Sequence, residues 1–439
     1  MTTQNITSAA FLRPPGKVER ILVVVMLFTY SFSLPNEWFI VLSDAEATGG
    51  PLVQATFLGF FGIAVLGING NWHVAAHAAA REPLIPALLG FAALSTLWSS
   101  EIGLTFTTVA VLGITYVVGI YIVLRFSIEE FLFLLGLALA AGIFVNFVMI
   151  FVFPSSGLQN TGASFEAAIN DAWSGVFRSR NTLARFAVLS FVTFSMNARL
   201  RRSFFIWPAL AVLAVIQVIG TGSATSLGAL LAVIGLSVVL LGFRGRKNLY
   251  GATAIAMFTI FSAVTTIAAL NVEAATALVG RESTFSGRLP LWQASINYGI
   301  VERPWLGHGW GAFWAGDNSF QVQIRSNFDV PHAHNAFVDT WLFLGPVGSV
   351  LLVAIYARGL FWAARNIRRN PTITGLFPAI AISLSVLYSL SESGFVNRSS
   401  AFILLVVAST IAAQNKGVQQ PFIGRKPEDI NPTKEQVLV

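Results

Sequence analysis

From Phe131 to Phe153 the chain runs 23 residues without a charged side chain. As an α-helix at 1.5 Å per residue, such a run is roughly 34 Å long, enough to cross a hydrocarbon core of about 30 Å. In lipid a backbone must pair its own polar groups, so a single apolar run of this length is read as a membrane-spanning helix. Comparable runs occur near 21–41, 52–70, 83–99, 102–124, 129–153, 182–198, 203–220, 225–243, 249–270, 335–362, 373–391 and 399–414. The fold class expected is therefore an all-α polytopic membrane protein with about twelve transmembrane helices. Composition agrees: 11% of residues are charged, against about 25% in soluble domains.

Charge orders the connections. Alternate ones are basic: Arg81; Arg125; Arg199, Arg201 and Arg202; Arg244, Arg246 and Lys247; Arg365, Arg368 and Arg369; then Lys416, Arg425 and Lys426. Cytoplasmic loops carry such an excess of Lys and Arg, which places both termini on the cytoplasmic side of the membrane. Residues 1–19 contain Arg13 and Lys17 and no cleavable small-residue pattern, and read as a retained cytoplasmic start. Residues 20–414 form the membrane domain, and the polar stretch 415–439 is expected to be a disordered cytoplasmic tail. A net charge of +7 would suit a nucleic-acid partner, but the basic residues fall in short clusters between spans, so nucleic acid is excluded. Without cysteine the chain has no disulfide, thiolate metal site or thiol nucleophile.

Two connections on the opposite, periplasmic face break the sign rule. One runs from Pro154 to Asn181 and ends WSGVFRSRN. The other is the 63-residue stretch 271–333, between the ninth and tenth spans, with Arg281, Arg288, Arg303, Arg325, His308, His332 and four tryptophans. Translocation gains nothing from arginines there, so they call for a local reason. Loops of this length are usually functional or disordered, and an aromatic-rich, arginine-rich loop is a poor candidate for disorder.

The second loop ends in VPHAHNAFVDTWLFLGPVG. Three readings of its histidines stand side by side. Asn335 can cap the following helix while His332 and His334 are merely interfacial. Both histidines, with His308 or Asp329, can hold zinc through imidazole nitrogens, although neither a cysteine nor an HExxH pattern accompanies them. Or one histidine is a general base that takes a proton from a hydroxyl near neutral pH. Arg178, Arg180 and Arg185 at the mouth of the sixth span, and Arg288 in SGRLPLW, suit a lipid-linked phosphate or diphosphate, because guanidinium groups bind phosphate bidentately and keep their charge. The bland alternative is anchoring to anionic headgroups. Trp292, Trp305, Trp310 and Trp314 read as an interfacial belt, or as platforms for sugar rings. His73 and His77, one turn apart on the cytoplasmic side, read as structural. GHGWGAFWAG lacks the strand and GK[ST] of a phosphate loop.

The segments WSGVFRSRNTLARF, SGRLPLWQASINYGIVERPWLGHGWGAFW and VPHAHNAFVDTWLFLGPVG, in this order, resemble the O-antigen ligase and polymerase superfamily, most of all its exopolysaccharide-polymerase branch, the ExoQ-type proteins. The resemblance covers roughly Trp173 to Phe402. It implies transfer of a glycan from undecaprenyl diphosphate to an acceptor, by an inverting mechanism with no metal and no cofactor. It implies that His334, directly before Asn335, activates the acceptor hydroxyl, and that Arg288 holds the diphosphate. Arg180 and Asn181 match the basic-Asn pair that opens the sixth span. Where the family often carries a basic residue at a span start, this chain reads GTGSATSLGALL, with Ala224 at the aligned position; the resemblance then points to Arg178 or Arg185 for the second diphosphate contact.

Three functions follow as expectations. The first is a glycosyltransferase that polymerises undecaprenyl-diphosphate-linked repeat units into surface polysaccharide or exopolysaccharide. The second is a ligase passing glycan to lipid A core or to a protein, with identical chemistry and a different acceptor cleft. The third is a flippase of lipid-linked sugars, which needs ionisable groups along the bundle interior; here they gather at the membrane ends, with Glu392 near the end of the eleventh span the main exception. Expected partners are the lipid-linked glycan and the bilayer, with chain-length regulator and flippase proteins beside them.

Overall fold

The computed structural model describes residues 14–31, 51–159, 171–177, 179–202, 204–242, 288–315, 317–326, 332–369, 372–393 and 400–413. The expected ninth span at 249–270, loop residues 271–287, the tail 415–439, Arg178 and Asp329 lie outside these.

The described chain is mostly helical, and its one strand pairing is a two-residue antiparallel match of Leu158–Gln159 with Ala172–Trp173 among the described residues. Its helices are α1 (Lys17–Ser31), α2 (Pro51–Ile68), α3 (Trp72–Arg81), α4 (Leu84–Leu94), α5 (Ile102–Arg125), α6 (Ile128–Val152), the single turn α7 (Pro154–Gly157), α8 (Arg180–Leu200), α9 (Ile206–Gly220) and α10 (Ala224–Gly242). There follow α11 (Arg288–Ser295), α12 (Asp317–Ser326), α13 (Ala336–Arg369), α14 (Ile373–Ser391) and α15 (Ser400–Ala413). By length and apolar composition, α5, α6, α13 and α14 can each cross a bilayer. The twelve spans expected from the sequence are not all met by this measure among the described residues. The expected span 52–70 is α2, which ends at Ile68; Gly70 takes φ +79° in the Asn-Gly-Asn turn that follows, and α3 leaves α2 at 106°. The pair makes a fifth crossing only if it is counted as one broken span. Other apolar helices are short, as at Leu84–Leu97, Ile206–Gly220, Thr225–Val238 and Ala401–Ala413.

Local chemistry sets the helix starts. Ser127 accepts from the Glu130 amide at the head of α6, and Thr372 from the Gly375 amide at the head of α14; both supply a partner to an otherwise orphaned N–H. The large buried side chains Tyr121, Phe131 and Phe402 come from α5, α6 and α15. Buried amides join neighbouring helices: Asn197 Nδ2 donates to Leu132 O at 2.7 Å, and Gln217 Nε2 to Ile143 O at 3.1 Å. Such interhelical bonds hold helices together where the surrounding lipid is as apolar as the side chains.

Charges sort to the two ends of the bundle. At one end Arg125 grips Glu19 with Nε and Nη2 at 2.7 and 2.6 Å, Arg20 meets Glu130 at 2.6 Å, and Arg358 meets buried Glu82 at 3.1 Å. His77 accepts from Arg81 at 3.1 Å near this end, which agrees with a structural role. The described arginines and histidines of the two long connections lie at the opposite end.

There α13 is bent, and the bend explains the glycine-rich stretch. Gly345 takes φ +67° and ψ −163° just before Pro346. Proline has no N–H for the carbonyl of Leu342. That carbonyl accepts from His308 N at 2.8 Å, and the next, Phe343 O, accepts from Gly309 N at 3.0 Å. The strand Gly307–Gly311 thus supplies the hydrogen bonds the helix has lost. It approaches so closely that a Cβ on Gly345 would overlap the Trp305 carbonyl.

Candidate active site

The site is built around Ala333, the residue between the two histidines. Its N–H donates to Asp339 Oδ1 at 3.1 Å, and its carbonyl accepts from Trp292 Nε1 at 2.7 Å. Clamped on both sides, the chain turns through His334 at φ +49°. A non-glycine residue in this left-handed region costs on the order of 1–3 kcal/mol, which neighbouring contacts must offset. Asn335 then starts α13: its Oδ1 accepts from the Phe337 and Val338 amides at 3.0 and 3.2 Å, and its Nδ2 donates to Leu390 O at 3.3 Å. The capping role read from the sequence is present, and it serves to place His334.

The turn directs His334 at Glu392. The two lie 2.8 Å apart, from Nδ1 to Oε2, with the carboxylate buried. A carboxylate on Nδ1 favours the tautomer in which Nε2 is the basic nitrogen, and it stabilises the imidazolium once a proton arrives. His332 stacks edge-on against His334, with ring centroids 4.1 Å apart at 86°. Burial, then the neighbouring His334, pushes the His332 pKa down to about 4, against the pull of Glu392. His332 is thus neutral near pH 7. The two histidines thus sit in different settings: His334 has an anionic partner, and His332 is held uncharged.

His332, His334 and Glu392 each bring one ligand atom to within 4.8 Å of the others, a donor set of the kind that binds zinc. Of the additional ligands considered from the sequence, His308 does not join them. His308 is buried elsewhere, with Nε2 3.0 Å from Gly299 O, and burial holds its pKa below the usual histidine range; Asp329 is outside the described residues.

Among the singled-out arginines whose side chains are described, Arg185 shares a pocket with Glu392. It lines a small polar pocket with Asn181, Ser223, Ser226, Ser391 and Glu392. Its Nη2 donates to Thr182 Oγ1 at 3.0 Å, and Asn181 Oδ1 accepts from Ser223 at 3.1 Å. Arg180 opens α8, where its backbone N–H meets Gln159 Oε1 at 3.0 Å and its side chain reaches toward Gly222 O at 3.5 Å. Ala224, where the family has a basic residue, begins α10 one residue after Ser223 of this pocket. Arg288 is the first residue of α11, one turn before Trp292, whose indole holds Ala333.

The four tryptophans differ in setting. Trp310 is buried, Trp292 and Trp314 are hydrogen-bonded to Ala333 and Asp339, and only Trp305 of the four is exposed. Glu392 and Asp339 were not identified as site residues from the sequence. A signal for Glu392 existed: an anion at a helix C-terminus opposes the helix dipole, so it needs a cationic or hydrogen-bonding partner. That partner lies 58 residues away in the chain, and only folding reveals it.

Comparison with known proteins falls on the same region. Residues 209–353 match the family model described as O-Antigen ligase; this span holds α9, α10, the histidine segment and the bend of α13. The chain is also similar to the exopolysaccharide production protein ExoQ of Rhizobium meliloti (strain 1021), 28% identical over 223 residues, covering 46% of this chain and 50% of that protein. The match thus spans half the length of that relative. With the apolar helices, the two similarities support a membrane protein that resembles O-antigen ligases and ExoQ.

Proposed function

We propose that this chain is an inner-membrane polymerase that joins undecaprenyl-diphosphate-linked oligosaccharide repeat units, with His334 as general base and arginines as diphosphate contacts. The observation that carries the reading is the His334–Glu392 pair at the mouth of α13, with Arg185 lining the adjoining pocket. The end of the bundle holding this pair faces the periplasm, with 271–333 on that side and both termini in the cytoplasm, because the basic connections cluster at the other end.

In the reaction the acceptor hydroxyl gives its proton to His334 Nε2, and its oxygen bonds to the anomeric carbon of the donor from the face opposite the diphosphate. The bond from that carbon to the diphosphate oxygen breaks, and undecaprenyl diphosphate leaves with the electron pair. A positioned base contributes roughly 10²–10⁴-fold. Glu392 balances the imidazolium. Charge developing on the leaving group requires fixed cations, and each preorganised donor is worth about 3–4 kcal/mol. Arg288 supplies one. Arg185, with Arg180 and, two residues before it in sequence, Arg178, supplies what Ala224 lacks, while Asn181 orients the pocket. His332 supports His334 without carrying charge.

The test is chain growth by the purified protein on undecaprenyl-diphosphate-linked repeat units. A ladder of products supports a polymerase. A single transfer to lipid A core or protein, the activity that the family description favours, would make it a ligase. Translocation of the lipid with no new glycosidic bond would make it a flippase and overturn the reading. Turnover abolished by a chelator and restored by zinc would move His332, His334 and Glu392 into a metal site.

A further inference from the structure

The base pair just described needs a device that sets its distance, because its two members come from different helix ends and one sits on a strained backbone. Asp339, one turn into α13, is buried, and three donors from three parts of the chain converge on it. Trp314 Nε1 reaches Oδ1 at 2.8 Å from the long loop, Ala333 N reaches Oδ1 at 3.1 Å, and Ser393 Oγ donates to Oδ2. Ala333 immediately precedes His334, and Ser393 immediately follows Glu392. One carboxylate thus holds a chain neighbour of each member of the pair.

We propose that Asp339 is the positioning residue of the His334–Glu392 pair, locking the two against each other and against the loop through Trp314; its catalytic consequence rests on the reading of His334 as base. A carboxylate suits the position, because it accepts at both oxygens and has no hydrogen to turn toward a donor. Asn is a weaker anchor: with its oxygen on Trp314 and Ala333, its NH₂ faces Ser393, whose hydroxyl must turn round to accept, and the second acceptor for Ala333 N–H is lost. A longer acid, Glu, would push the carboxylate past both.

The test uses the full-length protein in detergent and two measurements. The first is the rate at which diethyl pyrocarbonate modifies His334, localised by tandem mass spectrometry; this requires no assumption about the reaction. The second is turnover of lipid-linked substrate per folded molecule, with kcat and KM separated. In Asp339→Asn the modification rate of His334 is expected to rise at least about 3-fold, as the ring loses Glu392, and kcat to fall about 10–100-fold with KM within about 2-fold. An unchanged modification rate would overturn the proposal, as would a change confined to KM. If Asp339→Asn does not fold, Ser393→Ala removes one anchor and leaves two donors in place; a rise of about 2–5-fold in modification is expected, and none would overturn the idea equally. A raised modification rate in a protein whose His334→Ala variant still turns over substrate would leave the positioning role standing and refute the base assignment instead.

Discussion

Glu392, the residue directly after α14, lies 2.8 Å from His334, and both belong to polar caps that close the ends of long apolar helices. The pair joins two crossings that run in opposite directions, so its geometry reports on how the helices pack.

The pair yields a graded series. His334→Ala is expected to abolish chain growth while the protein still reaches the membrane. Glu392→Gln keeps the volume and removes the charge, and should cost roughly 10²-fold, toward the lower end of the range for a general base. His332→Ala should be milder than either, since His332 carries no charge near neutral pH. Steady-state turnover of purified variants checks the order. Activity that survives His334→Ala but disappears in His332→Ala would transfer the role.

Arginine variants separate a diphosphate contact from a headgroup anchor. Arg288→Lys keeps the charge and loses the forked bond, so it should be nearly as defective as Arg288→Ala. Arg185→Ala should cost about 3 kcal/mol, or some 10²-fold in kcat, with Arg180→Ala and Arg178→Ala also severe because Ala224 brings no charge to share the load. Near-normal turnover in Arg288→Lys would defeat the leaving-group role.

The lowered pKa of His332 makes stability depend on pH in a defined window. Its folded value, about 4, lies below the ordinary 6.5, so the unfolded chain binds the extra proton first. Its contribution is therefore fully present above pH 6.5 and is lost as pH falls toward 4, by at most about 1.4 kcal/mol per pH unit. Thermal melts of detergent-solubilised protein at pH 7 and pH 5 should show a drop in Tm that His332→Asn reduces. An identical drop in the variant would place the titrating group elsewhere.

Gly345→Ala should destabilise the bend of α13 by about 2 kcal/mol or more, since it combines a left-handed backbone with an overlap on the Trp305 carbonyl. Gly16→Ala, in open space before α1, serves as the control. Melting temperatures that match between the two variants would contradict the close approach of loop and helix.

Sidedness can be read with single cysteines, since the chain contains none of its own. Gln321→Cys on exposed α12 should react with an impermeant thiol reagent in intact cells, and Arg368→Cys at the far end of α13 only after the cells are opened. The reverse pattern would place the site in the cytoplasm and end the proposed mechanism.

The sequence by itself determined that the chain is a helical membrane protein, because long uncharged runs have few other ways to satisfy their backbone in lipid. It also marked His334 and the capping Asn335, since polar residues beside an apolar run stand out in one dimension. It did not show where the helices break. The Asn-Gly-Asn turn after α2 ends an apolar run without announcing the short helix α3 that leaves it at 106°, and the bend at Gly345 needs a second segment to take up the freed carbonyls. Nor did it show what makes His334 differ physically from His332, or reveal Glu392 and Asp339 as their supports. Those roles depend on contacts between residues tens of positions apart, and on which side chain is buried, and both are decided only when the helices pack.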